Sequence, residues 1–231
     1  MQDLKKTTEL KFTNNHLNRG EFELISKSRD IEFRYLGLMD YLEAYDLQLR
    51  LHKLIQENTK NAIILGLEHR AVLTLGYRSQ ELNEVVNGAT ELPVVRTQRG
   101  GLATIHSEGQ LVIYPILNLR EQGFGVRDLV QLLLQTTQEC LSFFQIESFQ
   151  DDGQVGLYTA NGKIAFCGLQ IKNGISLHGL SLNISNDLSL FSQIMACGVK
   201  QQKMDAVVLH NKEITLEFFF KKWSDIYKEN F

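Results

Sequence analysis

The sequence predicts an α/β protein of α+β-like organisation: a mixed, largely antiparallel sheet flanked by helices. Three observations predict it. Apolar runs of strand length outnumber helical stripes, and the links between them are hairpin-short rather than long crossovers. Glycine also clusters where tight turns are needed, with 11 of the 17 glycines between positions 100 and 179. Residues 1–30 read as a polar, weakly periodic arm with Lys5, Lys6, Asn14, Asn15 and Asn18, and one short strand at Glu21–Ser26. Asp40, followed three residues later by Glu43, has the capping-box pattern of a helix start. The stripe Leu38, Leu42, Tyr45, Leu49 with Leu47, Leu51, Leu54 and Ile55 continues it. Ala62–Leu67 and Val72–Leu75 read as strands, the second closed by Gly76. Leu111–Leu117, Lys163–Ile171 and Ser176–Ile184 read as further strands, the last two forming a hairpin that turns at Lys172-Asn173-Gly174. Val126, Leu129, Val130, Leu133, Leu134 and Leu141 recur at helical spacing and predict a helix from Val126 to Phe144. Leu216, Phe219, Phe220, Trp223 and Tyr227 predict a last helix over Glu213–Tyr227. No repeat or linker divides the chain, so residues 1–231 are expected to form one domain, with 1–30 loosely attached.

Composition bounds the function. A chain of 231 residues buries roughly 70–75% of its unfolded surface, so its core needs no disulfide or metal staple. Three cysteines without paired spacing argue against a disulfide framework and against a zinc site; no metal and no cofactor is expected. No apolar run reaches the ~18 residues of a membrane span, and the start, Met1-Gln2-Asp3-Leu4-Lys5-Lys6, lacks the apolar core of a secretory signal. A formal net charge of -3 gives no reason to expect nucleic acid. A cytoplasmic protein whose cysteines act as thiols is expected.

Three constellations could carry chemistry. Arg99-Gly100-Gly101 leads through Leu102, Ala103, Thr104 and Ile105 to His106. Paired glycines let backbone N–H groups approach a ligand oxygen; the alternative is a surface hairpin with a solvated arginine. No Gly-Lys-Ser/Thr triplet follows, so this is no phosphate loop. In Gly162-Lys163-Ile164-Ala165-Phe166-Cys167-Gly168, strand alternation puts Lys163 and Cys167 on one face. Lys163 is either a turn residue reaching water or an inward lysine that must be paired or deprotonated. In Ala196-Cys197-Gly198 the cysteine follows a polar loop, where a nearby cation would make it nucleophilic; otherwise it is an inert turn residue. Cys140, beside an apolar stripe, is read as packing.

RGGLATIHSEGQLVIYPILNL, GLYTANGKIAFCGLQI, SLHGLSLNIS and NDLSLFSQIMACG, in this order, resemble the octanoyl (lipoyl) transferase family of the biotin/lipoate protein ligase fold superfamily. The resemblance runs from about Tyr35 to Met204 and includes GLEHRAVLTLG, which is similar to the family's EHPPVxTxG. It implies transfer of an octanoyl group from the thioester of acyl carrier protein to a lysine of lipoyl domains, those of 2-oxoacid dehydrogenase complexes and of the glycine cleavage H protein. It implies Cys197 as nucleophile and Lys163 as the partner that stabilises its thiolate and moves a proton. It implies acyl binding by the run Arg99 to His106, by Phe166, Cys167 and Gly168, and by Gly179, Leu180 and Ser181. The family's HGPGQ reads His106-Ser107-Glu108-Gly109-Gln110 here, its proline before the nucleophile is Ala196, and EHPP is Glu68-His69-Arg70-Ala71.

Physical chemistry fits that implication. Thioester to amide runs downhill, so no nucleotide is needed. Oxyanion donors are expected near Gly168 or Gly179. An eight-carbon chain gains about 0.8 kcal/mol per buried CH₂, which calls for an apolar slot, with Leu102, Ile105, Phe166 and Leu180 as its expected lining. A basic rim of Arg96, Arg99, Lys172, Lys200 and Lys203 is expected to steer acidic carriers. The competing readings are an ATP-dependent lipoate or biotin ligase of the same fold, a non-catalytic acyl-carrier-binding protein, and Cys167 as the nucleophile.

Overall fold

The computed structural model describes residues 31–79, 91–151, 153–194 and 202–230. The expected arm at 1–30 with its strand, and Ala196, Cys197 and Lys200, lie outside the described residues.

The chain enters on β1 (Glu32–Met39), which precedes helix α1 (Tyr41–Gln56), β2 (Ile63–His69) and β3 (Val72–Leu75). Short β4 (Val94–Arg96) and β5 (Thr104–His106) precede β6 (Gln110–Ile116), the single turn α2 (Leu119–Gln122) and helix α3 (Val126–Phe143). Then follow β7 (Phe149–Asp151), β8 (Gln154–Tyr158), β9 (Lys163–Lys172) and β10 (Ile175–Asn183), two 3₁₀ turns at Leu188–Gln193 and Val207–Leu209, and helix α4 (Leu216–Asn230). The large sheet runs β1-β2-β6-β10-β9-β8-β7. Its β1–β2 pair is parallel and every other pair antiparallel. A small second sheet, β4-β3-β5, is also mixed. The fold class read from the sequence is therefore the observed one.

Alternation along the central strands sorts the core into layers. Ile64, Leu111 and Ile113 face α3 and α4, packing with Leu129, Leu133, Leu141, Phe219 and Trp223. Their neighbours Ile63, Leu65, Val112, Tyr114 and Ile116 face α1, against Ala44, Leu51 and Ile55. The small sheet shares a third cluster with the first 3₁₀ turn, in which the Phe166 and Phe191 rings stack at 5.5 Å. Cys140 is buried in the first cluster, where burial raises its thiol pKa, so the packing reading holds.

The β9–β10 hairpin turns where expected. Asn173 (φ 52) and Gly174 (φ 80) both adopt the left-handed conformation that a two-residue hairpin turn of matching twist requires. Other expectations shift. Asp40 does precede α1, but its side chain makes no capping bond and pairs with Arg70 at 3.5 Å. Leu38 belongs to β1, not to the helical stripe. α4 begins three residues later than expected because Thr215 takes the cap, its hydroxyl accepting the Phe218 N–H at 3.2 Å. Strands β1, β4, β5, β7 and β8 were not expected; most are short, and β7 is exposed throughout.

Gly66 on β2 lies under α4. A Cβ there would come within 2.5 Å of the Phe220 ring, whose neighbours leave it no open side. Gly66→Ala should cost about 1–3 kcal/mol. It should lower the urea midpoint without changing the slope of the transition; an unchanged midpoint would mean that α4 docks more loosely than described.

Candidate active site

Of the described sequence-predicted site residues, all but Ile105 and Lys163 line one cleft. Its floor is a patch of three strands on the face turned away from α3 and α4, crossing Val112 and Tyr114 of β6, Gly179 and Ser181 of β10, and Phe166 and Gly168 of β9. One wall is the loop Arg99–Thr104 with His106, and the other is Tyr41 at the start of α1 with His178. The cleft holds about 540 Å³ of free space, its open mouth included.

Glycines set how closely the loop approaches the floor. The Gly100 N–H donates to the Leu169 carbonyl at 2.9 Å, and a Cβ on Gly168 would stand 2.7 Å from the Gly100 carbonyl. On Gly179 a Cβ would stand 2.0 Å from the Ile113 carbonyl. Arg99 holds the loop from beneath. It is buried, and donates through Nη2 to the Thr74 carbonyl (2.8 Å) and hydroxyl (2.9 Å) and through Nη1 to the Gly100 carbonyl (3.1 Å). Arg99 is thus no member of a basic rim, because its charge is spent inside the protein; Arg96, Lys172 and Lys203 are exposed. Ile105 also departs from expectation. Alternation on β5 turns it into the third core cluster with Leu73 and Phe191, while Leu102, Ala103, Thr104 and His106 line the cleft.

Lys163 is wholly buried, which decides against a turn residue reaching water. Its ammonium donates to the Val155 carbonyl at 3.1 Å and the Gln154 side-chain oxygen at 3.4 Å, and lies 4.9 and 5.2 Å from the Tyr158 and Phe166 ring centres. A register shift in the β8–β9 pair, between Leu157 and Tyr158, interrupts regular alternation and brings Lys163 over to Phe166. Cys167 lines the cleft, but burial pushes its thiol up to about 12, which opposes the thiolate that a nucleophile needs. The backbone of Lys163 is pinned as well: its N–H donates to the Lys203 carbonyl, and its carbonyl accepts the Asp205 N–H, both at 2.9 Å. Asp205 is buried. Its carboxylate accepts from the Thr159 hydroxyl and from the Ala206 N–H at 2.9 Å, and lies 2.6 Å from His210 Nε2. On the other side of the segment that carries Cys197, Ile194 packs in the same cluster as Phe166. The chain after that segment is thus anchored to Lys163 itself, and the chain before it to the cluster that holds Phe166.

The inner wall carries polar groups of which the sequence reading named only His106 as a site residue. His69 Nδ1 donates to the Met39 carbonyl at 3.1 Å, so its Nε2 accepts the Tyr114 hydroxyl at 2.7 Å. His106 Nδ1 donates to the Gln110 side-chain oxygen at 2.7 Å. His178 sits at φ 58, stacks on Tyr45 at 5.3 Å, and donates its backbone N–H to the Gln48 side-chain oxygen at 2.8 Å. His178 Nε2 and Thr104 Oγ1, both buried, have no hydrogen-bond partner among the described residues. Burial lowers His69 to about 4 and His178 to about 3, and holds His106 well below its ordinary value; it also lifts Tyr41 to about 12. The wall is thus neutral at ordinary pH. His178 was legible in principle, since it lies inside the SLHGL segment beside Gly179. Of the unmatched Ser107-Glu108 pair, Ser107 is buried and Glu108 exposed, and the Gly109 N–H donates to Glu68 at 2.8 Å. Among the described residues no three His, Cys, Asp or Glu side chains form a metal-holding group, and no helix is long and apolar enough to cross a membrane.

A mixed sheet with a glycine-lined cleft, and a buried lysine packed against two of its lining residues, defines a class already known. A solved lipoate-protein ligase A bound with ATP superposes with a TM-score of 0.67 at 14% identity, over 86% of this chain and 85% of that one. A putative lipoate protein ligase from T. acidophilum with bound lipoic acid superposes at 0.63 and 14% identity, over 86% and 84%. These establish the shared fold. The family model for the lipoyl protein ligase A/B catalytic domain matches residues 40–227, and the chain belongs to that family. Within it, an octanoyltransferase from Vesicomyosocius okutanii is 36% identical over 83% of this chain and 93% of its own length. One from Pseudomonas putida is 40% identical over 72% and 76%. The chain is an acyltransferase of this kind, acting in lipoylation.

Three of the buried histidines, His69, His106 and His178, give a pH test. Each binds a proton more readily unfolded, near pH 6.5, than folded. Stability should therefore be complete above about 6.5 and fall as pH drops from there toward 4, by up to about 1.4 kcal/mol per unit for each histidine. Urea midpoints at pH 7 and pH 5 check this. His178→Asn, which tolerates the left-handed backbone, should make the dependence shallower.

Proposed function

We propose that the chain moves an octanoyl group from the phosphopantetheine thioester of acyl carrier protein to a lipoyl-domain lysine, through a thioester on Cys197. The single observation that carries the reading is Lys163, wholly buried with its ammonium bonded to the carbonyl of the cleft residue Val155. A lysine is held that way when its proton has work to do. In the resting enzyme Lys163 carries its proton opposite the Cys197 thiolate. The thiolate attacks the donor carbonyl, the carbon–sulfur bond to pantetheine breaks, and Lys163 gives the departing sulfur its proton. The acceptor amine then attacks the Cys197 thioester and returns a proton to Lys163, and the thiolate leaves. Atoms and charges balance over the two halves, and no nucleotide enters.

The rest of the cleft supports this division of labour. Leu102, Ala103, Phe166 and Leu180, with Gly100, Gly101, Gly168, Gly179 and Ser181, would hold the acyl chain. Backbone N–H groups at Gly168 or Gly179 are the candidate oxyanion donors. Arg96, Lys172 and Lys203 would steer an acidic carrier. Lipoyl domains of 2-oxoacid dehydrogenase complexes and the glycine cleavage H protein are the acceptors in this reading, and the cytoplasm its place.

Incubation with octanoyl carrier protein and no nucleotide should add one octanoyl group to the intact protein, mapping to Cys197. Cys197→Ala should lose both adduct and transfer. An adduct on Cys167, or transfer that survives Cys197→Ala and requires ATP, would overturn the reading. Lys163→Arg, which keeps charge but does not release its proton, should slow transfer at least about 100-fold; a near-normal rate would remove Lys163 from proton transfer.

A further inference from the structure

We propose that Gln154, oriented by the Tyr158 hydroxyl, is a positioning residue that fixes the direction of the Lys163 ammonium beside the cleft residues Val155 and Phe166; this rests on the catalytic role given to Lys163 above. A lysine side chain has four rotatable carbons and a head with no directional fork, so burial alone does not fix where its protons point. The Val155 carbonyl fixes one of them, at 3.1 Å. The faces of Tyr158 and Phe166, at 4.9 and 5.2 Å, attract the charge without selecting a direction. Gln154 adds a directional side-chain acceptor at 3.4 Å.

An amide could equally present its NH₂ group to the lysine, setting donor against donor. Tyr158 prevents that. Its hydroxyl donates to the same Gln154 Oε1 at 2.7 Å, so the oxygen is held on the side that Lys163 and Tyr158 share. The backbone is shaped to the arrangement. The register shift between Leu157 and Tyr158 sets Tyr158 opposite Lys163, while Gly156, at φ 142, leaves the space that the lysine stem crosses. A Cβ on Gly156 would stand 2.7 Å from Lys163 Cε and 3.1 Å from Nζ. Gln154, Val155, Gly156 and Tyr158 are consecutive parts of one strand, β8, so a single element supplies the clamp.

Single-turnover acylation of the full chain by octanoyl carrier protein tests this. Gln154→Leu, which keeps bulk and removes the acceptor, should lower the acylation rate about 10-fold and leave donor KM and melting temperature unchanged. Gln154→Glu, which keeps an oxygen at that place, should recover most of the rate. Tyr158→Phe keeps the ring and releases the amide, so it should cost several-fold. The Gln154→Leu/Tyr158→Phe double variant should be no slower than Gln154→Leu alone, because the tyrosine acts through the glutamine. A wild-type rate for Gln154→Leu, a loss confined to KM or melting temperature, or additive losses in the double variant would overturn the proposal. Lys163→Met separates the two levels. If it remains active, the catalytic role of Lys163 fails; if it is inactive while Gln154→Leu is normal, the positioning role alone fails.

Discussion

The structure depends on how closely one loop can lie against the central strands. Gly168 and Gly179 face each other across the β9–β10 ladder and leave a flat patch without side chains, onto which Gly100 settles. A methyl group at either position would meet a carbonyl within 2.7 Å. That contact defines the cleft: it sets the depth of the floor, the position of Leu102 and Thr104 on the wall, and the narrowness that makes apolar burial of a chain effective. Arg99 acts as a tie rather than a ligand, since the Thr74 and Gly100 oxygens take its hydrogen bonds. Removing its charge to the rim would leave those oxygens buried and unsatisfied.

A continuous chain of donors and acceptors then joins the loop to the lysine. His106 donates to Gln110, Gln110 Nε2 to Asn183 at 2.9 Å, Asn183 to the Asp205 carbonyl at 3.0 Å, and the Asp205 N–H to the Lys163 carbonyl. Each amide is oriented by its neighbour, so the chain has one consistent direction. It runs through buried side chains of β6 and β10, where a lost partner is costly. The cleft wall at His106 and the buried lysine are therefore held by one polar network, not by two independent ones.

Much of this was legible in the sequence, for reasons that can be named. Helix α3 was readable because its buried residues recur at 3.6, and the β9–β10 turn because Asn-Gly tolerates two left-handed residues in succession. The edge strands were not: β7 is exposed on both faces and β1 half-buried, so neither carries the alternation that marks a strand. Joint motifs located Lys163 and the loop from Arg99 to His106. They did not reveal that Arg99 is buried, that Ile105 turns away from the cleft, or that Lys163 joins Phe166 rather than Cys167. Burial of Arg99 depends on Thr74, 25 residues earlier, and the turning of Lys163 depends on a one-residue shift in a neighbouring strand. Tyr41, His69, Tyr114 and His178 come from four elements and meet only in three dimensions.

The seat of Lys163 has another consequence. If the cargo is carried as the proposed Cys197 thioester, a free amine close to that bond is a self-modification hazard, because transfer to the enzyme's own lysine would give a stable amide and a dead protein. Holding Nζ on a backbone carbonyl, between two aromatic rings and against a side-chain oxygen, keeps the nitrogen engaged as a donor. The same contacts that orient the proton restrain the lysine from attacking, so the acceptor's mobile lysine, not the enzyme's fixed one, is the amine free to reach the acyl carbon.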